Sequence, residues 1–168
     1  VPEYGVIIIF RINDIIDLPL VDNITFQKLC KIRDVIIDLR ENRVYALTCN
    51  GKFFSRSLGA VLFRNVTSIS QNNVSVTDKI KIINLKELRM EKGCCQSYQS
   101  ILGKPVTGFR GEALGIIRDI LIDTNSGIIE AYELSEGYLD DFLKGRHIVE
   151  TDGRSILPVE REYPLYHR

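Results

Sequence analysis

Two stretches of this 168-residue chain read alike, and that likeness constrains its fold more than any other feature. Leu29-Cys30-Lys31-Ile32-Arg33-Asp34-Val35-Ile36-Ile37-Asp38 runs parallel to Leu114-Gly115-Ile116-Ile117-Arg118-Asp119-Ile120-Leu121-Ile122-Asp123 at a constant offset of 85 residues. Upstream, Ile16-Asp17-Leu18-Pro19-Leu20 corresponds to Leu102-Gly103-Lys104-Pro105-Val106 at an offset of 86, a one-residue difference in a loop. Downstream, Val44-Tyr45-Ala46 corresponds to Ile129-Glu130-Ala131. A unit of about 80 residues therefore occurs twice.

Each unit reads as β structure. Lys31 to Ile37 and Ile116 to Ile122 are short, rich in β-branched residues and bounded by polar turns, which favours strands over helices. Thr124-Asn125-Ser126-Gly127 and Leu39-Arg40-Glu41-Asn42 follow as hairpin loops, with Gly127 and Asn42 in the places that need a positive φ. The returning strands are Arg43 to Cys49 and Ile128 to Leu134. The first unit continues through Ala60 to Phe63, Val66 to Ile69, an Asn72-Asn73 turn and Val74 to Val76, a succession of short strands that predicts a small barrel or sandwich. Asp140 to Gly145 predicts a helical turn ended by the glycine, and Leu85 to Lys92 a short connecting helix ending at Gly93.

These residues resemble a known family. Ile101-Leu102-Gly103-Lys104-Pro105-Val106, the strand Leu114 to Asp123, a turn with glycine and a following strand are similar to the PRC-barrel domain. That domain forms the cytoplasmic part of the photosynthetic reaction centre H subunit and the C-terminal part of a ribosome maturation factor. The first unit carries the pattern with Asp17 and Cys30 in place of the two glycines. The resemblance implies an all-β chain of two small PRC-barrel-like β-barrels in tandem with a short helical connector. The expected division is residues 11–84, a linker over 85–97, and residues 98–160.

Composition bounds the functions such a chain can serve. A hydrophobic fraction of 45% and a charged fraction of 26% suit a globular protein with a core. The formal net charge of +0 lacks the basic excess that neutralises phosphates, so nucleic acid is not the expected partner. Residues 1–90 hold 13 basic and 9 acidic side chains, and residues 91–168 hold 9 and 13, so halves of charge +4 and −4 would allow one copy to associate with another. The apolar run Val6 to Phe10 is far shorter than the roughly 20 residues that span a bilayer. It has neither a basic n-region nor a cleavage site, and reads as an extra strand or as residues upstream of the natural start. Cys30, Cys49, Cys94 and Cys95 show no disulfide spacing, which points to a reducing cytoplasm. The adjacent Cys94 and Cys95 read as inert thiols, a strained vicinal switch being the alternative.

No catalytic, cofactor or metal site is expected. His147 and His167 have no nucleophile pattern around them, and phosphate-loop and zinc signatures are absent. Asp34, Asp38, Asp119 and Asp123 are the paired carboxylates of the repeated strand. A spacing of four puts each pair on one face, as a groove would need, but a carboxylate at a strand end is suited to anchor the next turn through backbone N–H bonds. Lys52, Phe53, Phe54 and Arg56 form a basic and aromatic loop that is the expected partner-binding segment, unless its rings pack into its own unit. The resemblance implies a non-catalytic adaptor mediating protein–protein association; the alternative is an RNA- or ribosome-associated assembly factor.

Overall fold

The computed structural model describes residues 6–50, 58–77, 82–88, 90, 93–108, 110–136, 146–151 and 156–157. β1 (Ile9–Arg11) leads through a 3-10 turn (Ile12–Asp14) into β2 (Pro19–Asp22), the long β3 (Lys28–Asp38) and β4 (Arg43–Asn50). β5 (Gly59–Leu62), β6 (Val66–Ile69), β7 (Val74–Val76) and β8 (Ile83–Asn84) complete the first repeat. The second opens on β9 (Cys95–Ser97) and α1 (Tyr98–Ile101), then β10 (Pro105–Thr107), the long β11 (Ala113–Asp123), β12 (Ile129–Ser135) and β13 (His147–Glu150).

The repeated strands form where the β-branched runs predicted them, and the two hairpins share their irregularities. The ladder of β3 with β4 shifts register between Ile32 and Asp34, and that of β11 with β12 between Ile117 and Asp119. Arg33 and Arg118 thus occupy equivalent bulges, and each bulge re-aims the aspartate that follows it. Asn42 and Gly127 end the two turns with φ of 49° and 74°. Asp17 adopts φ 66° where Gly103 has 79°, so the aspartate keeps the tight turn of the glycine motif. Its carboxylate accepts a hydrogen bond from Arg33 Nη1 at 2.6 Å, and aspartate is among the few non-glycine residues that enter the left-handed region.

Two expectations are corrected. The strands form not two closed barrels but two open sheets: one of eight in the order β6-β7-β2-β3-β4-β5-β8 with β9 also on β3, and one of five in the order β1-β11-β12-β13 with β10 also on β11. Neither sheet closes among the described residues, and the C-terminal end of each long strand pairs with a short strand of the other unit. Among its described residues the connector is not an α-helix either. Leu85–Glu87 makes one 3-10 turn, capped by Asn84 Oδ1 accepting from Lys86 N at 2.9 Å, and Leu88 turns extended with ψ 117°. Leu85 and Leu88 pack on a small patch of Ile36, Ala46 and Ala60, and this packing outweighs the helix propensity of the segment. The single α-helix among the described residues is α1, of four residues. The helical turn expected at Asp140 to Gly145 lies outside the described residues.

The main core is continuous across the repeats. Ile32, Val35, Ile37 and Leu47 of the first unit belong to one buried cluster with Ile117, Ile120, Ile122 and Tyr132 of the second. Burying a side chain of this size contributes roughly 1.5 to 3 kcal/mol.

Candidate functional site at the seam between the repeats

Each repeat lends its first strand to the other. β1 pairs antiparallel with β11, Phe10 opposite Ile122, and β9 pairs antiparallel with β3, Gln96 opposite Ile37. The helical turn after each lent strand is held by the aspartate behind the bulge of the receiving strand. Asp119 Oδ1 accepts from Asn13 N at 3.3 Å, and Asp34 Oδ1 accepts from Gln99 N at 3.3 Å. The hairpin turns meet with the same reciprocity: Val44 N donates to Gly127 O at 2.8 Å and Ile129 N to Asn42 O at 2.9 Å, with Arg43 bridged to Ile128 between them. Exchanging the repeats therefore maps the seam onto itself, as a twofold axis would.

The symmetry breaks at one buried polar cluster. Where the first repeat has Ile12 and Thr48, the second has Tyr98 and Glu133. Tyr98 OH donates to Asp119 Oδ1 at 2.9 Å, and Glu133 receives Arg11 Nε at 2.8 Å and Arg146 Nη1 at 3.3 Å. Burial raises the Asp119 carboxyl above its ordinary range against the lowering effect of its three hydrogen-bond donors. Burial also pushes Glu133 up, but the hydrogen bonds and charges of Arg11 and Arg146 prevail and hold it below the usual range. The Tyr98 hydroxyl is raised by burial and by the Asp119 charge. With these partners engaged, the cluster ties β1 to the second repeat and offers no free base. A cleft of about 520 Å³ beside it is lined by Ile9, Phe10, Arg11, Asp14, Gln71 and Leu121, with neither histidine nor thiol among them.

The structure separates the aspartates that sequence spacing groups in pairs. Asp34 and Asp119 reach the helical turns of the opposite repeats, whereas Asp38 and Asp123 face their own hairpin turns. Asp38 Oδ1 accepts from Arg40 N at 2.9 Å and Glu41 N at 3.1 Å; Asp123 accepts from Asn125 N at 3.1 Å and Ser126 N at 3.2 Å. Lys52, Phe53, Phe54 and Arg56 lie outside the described residues. His147 is exposed, with Nε2 3.0 Å from Leu114 O. Cys30 and Cys49 are buried free thiols, and Cys94 Sγ accepts from Arg40 Nη2 at 2.8 Å. Among the described residues no three His, Cys, Asp or Glu side chains are grouped to hold a metal, and no helix is long and apolar enough to cross a membrane.

Sequence reasoning missed the tip of the β2–β3 hairpin. Phe26 is 78% and Ile24 62% exposed, and Phe26 sits at φ 57°, which disfavours a bulky side chain by about 1 to 2 kcal/mol. Asp22 holds the tip: its carboxylate accepts from Ile24 N at 2.9 Å and Thr25 N at 2.7 Å, and its carbonyl from Phe26 N at 2.9 Å. Those backbone hydrogen bonds, Thr25 first, lower the Asp22 pKa. The available signal was two large apolar residues inside the polar turn Asn23-Ile24-Thr25-Phe26-Gln27.

Comparison with known proteins places this geometry. The family model described as the PRC-barrel domain matches residues 8–89 and again residues 96–162. The chain is also similar to the uncharacterized protein YrrD of Bacillus subtilis (strain 168), with 20% identity over 138 residues that cover 82% of this chain and 76% of that protein.

Proposed function

The chain belongs to the PRC-barrel domain family, and from that premise we propose that it is a non-catalytic adaptor whose rigid surface features hold a protein partner. The family is non-catalytic and generally associated with protein–protein interaction. The observation that carries the reading is the β2–β3 tip, where Ile24 and Phe26 stand exposed on a turn locked by Asp22. A pre-ordered aromatic anchor loses little conformational entropy on docking, and backbone strain of this kind is retained where it serves a function. The partner it fits carries an apolar pocket that accepts a phenylalanine ring beside an isoleucine. The basic and aromatic segment of Lys52, Phe53, Phe54 and Arg56 is a second contact on sequence grounds. Four cysteines, none in a disulfide, agree with a reducing compartment such as the cytoplasm.

The test is photo-cross-linking in the native cell from a probe placed at position 24, with Phe26 intact or changed to serine. One defined protein should be captured, survive nuclease treatment, and be lost with Phe26→Ser while the fold is retained. Capture that is indifferent to Phe26→Ser overturns the reading, and capture that disappears with nuclease favours an RNA-associated assembly role.

A further inference from the structure

The reciprocity of the seam carries an inference that does not rest on the adaptor reading. We infer that a second copy of this chain can supply the seam's other half, giving an intertwined dimer in which each first repeat is completed by the second repeat of its neighbour.

The repeats are joined by reciprocal elements. Each gives a three-residue strand and the helical turn after it, and each receives the same elements along the C-terminal half of its long strand. The pairing of Phe10 with Ile122, the bond from Asn13 to Asp119, and the bond from Val44 to Gly127 all run between repeats. None of them requires both repeats to lie on one polypeptide. A second repeat arriving from another chain would make the same contacts and bury the same core, so closed monomer and exchanged dimer differ mainly in the path of the connector.

The connector is suited to either path. Its described part holds one 3-10 turn and lays Leu85 and Leu88 on a patch of the first repeat, while β9 begins at Cys95. In the closed chain it keeps the second repeat at an effective concentration on the order of millimolar, which favours the monomer in dilute solution. Exchange wins when folding takes place at a chain concentration approaching that value, or when the connector is too short to let β9 return to β3 of its own chain. The dimer so formed separates only by undoing the shared core, so it persists on dilution.

The experiment uses the full chain, unfolded in denaturant and refolded over a range of protein concentrations, with tagged and untagged copies. Tagged–untagged dimers of twice the monomer mass should form when the copies are refolded together, increase with concentration during refolding, and stay absent when the two are mixed after folding. Deleting Arg89 to Lys92 should convert the folded product from monomer to dimer at concentrations where the intact chain is monomeric. Refolding that yields monomers alone at every concentration overturns the inference. So do mixed dimers that form as readily from folded copies, since they mark an ordinary surface contact.

Discussion

The backbone N–H of Asn13 donates to the carboxylate of Asp119 at 3.3 Å, although the two residues belong to different repeats. The same bond recurs from Gln99 to Asp34, so each aspartate of the repeated strand anchors the other unit's turn. The two anchors differ in surroundings. Asp119 is 3% exposed and also receives Tyr98 OH and Ile120 N, whereas Asp34 is half-buried and receives Val35 N. Asp119→Ala leaves buried donors without an acceptor and should destabilise the protein by about 1 to 3 kcal/mol. Asp34→Ala, whose donors water can reach, should cost about 0.5 to 1.5 kcal/mol. Urea denaturation of the two variants measures the difference, and equal losses would contradict the assignment.

The strands and core that cross the seam should make the two repeats unfold together, even after the chain is cut between them. Cleavage near Arg89 to Lys92 should give two fragments that elute together, because β1 and β9 still cross and the core still spans both units. Thermal unfolding of the intact chain should show one transition by both calorimetry and circular dichroism. Two separate transitions would mean that the units fold independently.

Much of this was legible in the sequence because it is local. A β-branched run names a strand, Asn42 can stand in for Gly127 at positive φ, and the offset of the repeats places their turns. The seam was not legible for the converse reason. β1 is three residues long and its partner lies more than a hundred positions away, so periodicity identifies the strand without identifying what it pairs with. Ile9–Arg11 and Cys95–Ser97 are equivalent at the repeat offset, yet Ile-Phe-Arg and Cys-Gln-Ser share no residue that would reveal it. The connector misled because its helix formers describe an isolated segment, whereas Leu85 and Leu88 answer to the patch beneath them.

Acidification should act on the buried cluster with opposite signs. The folded-state pKa of Glu133 is lowered, so its stabilising contribution is complete above its unfolded value and is lost as pH falls through the lowered one. The folded-state pKa of Asp119 is raised, so ionisation is harder in the folded protein, and stability attributable to this group declines as pH rises from its unfolded value through the raised one. Glu133→Gln should therefore flatten the acid limb of the stability profile below about pH 4.5, the ordinary range of a glutamate. Asp119→Asn should remove a decline above about pH 3.9, where an ordinary aspartate ionises. Denaturant titrations across pH 3 to 7 would test both slopes, and a variant whose profile parallels the parent refutes its assignment.

Glycine serves the turns at Gly103 and Gly127 for different reasons, which a pair of substitutions separates. Gly103 has φ +79° but nothing within 4 Å of the space a Cβ would occupy, so Gly103→Ala meets only backbone strain of about 1 to 2 kcal/mol. Gly127 has φ +74° and also faces the ring of Phe63, whose Cε1 would lie 2.6 Å from an added Cβ. Phe63 is itself buried at 5% exposure, and it brings the first repeat against the hairpin turn of the second at the seam. The ring cannot retreat without opening packed core, so an overpacking penalty of typically 1 to 3 kcal/mol adds to the backbone term in Gly127→Ala. Trimming the ring should relieve that second penalty alone. In a double-mutant cycle, Gly127→Ala should cost less in a Phe63→Leu background than in the parent, while Gly103→Ala should cost the same in both. An equal cost for Gly127→Ala in the two backgrounds would show that the glycine serves the turn and not the contact between repeats.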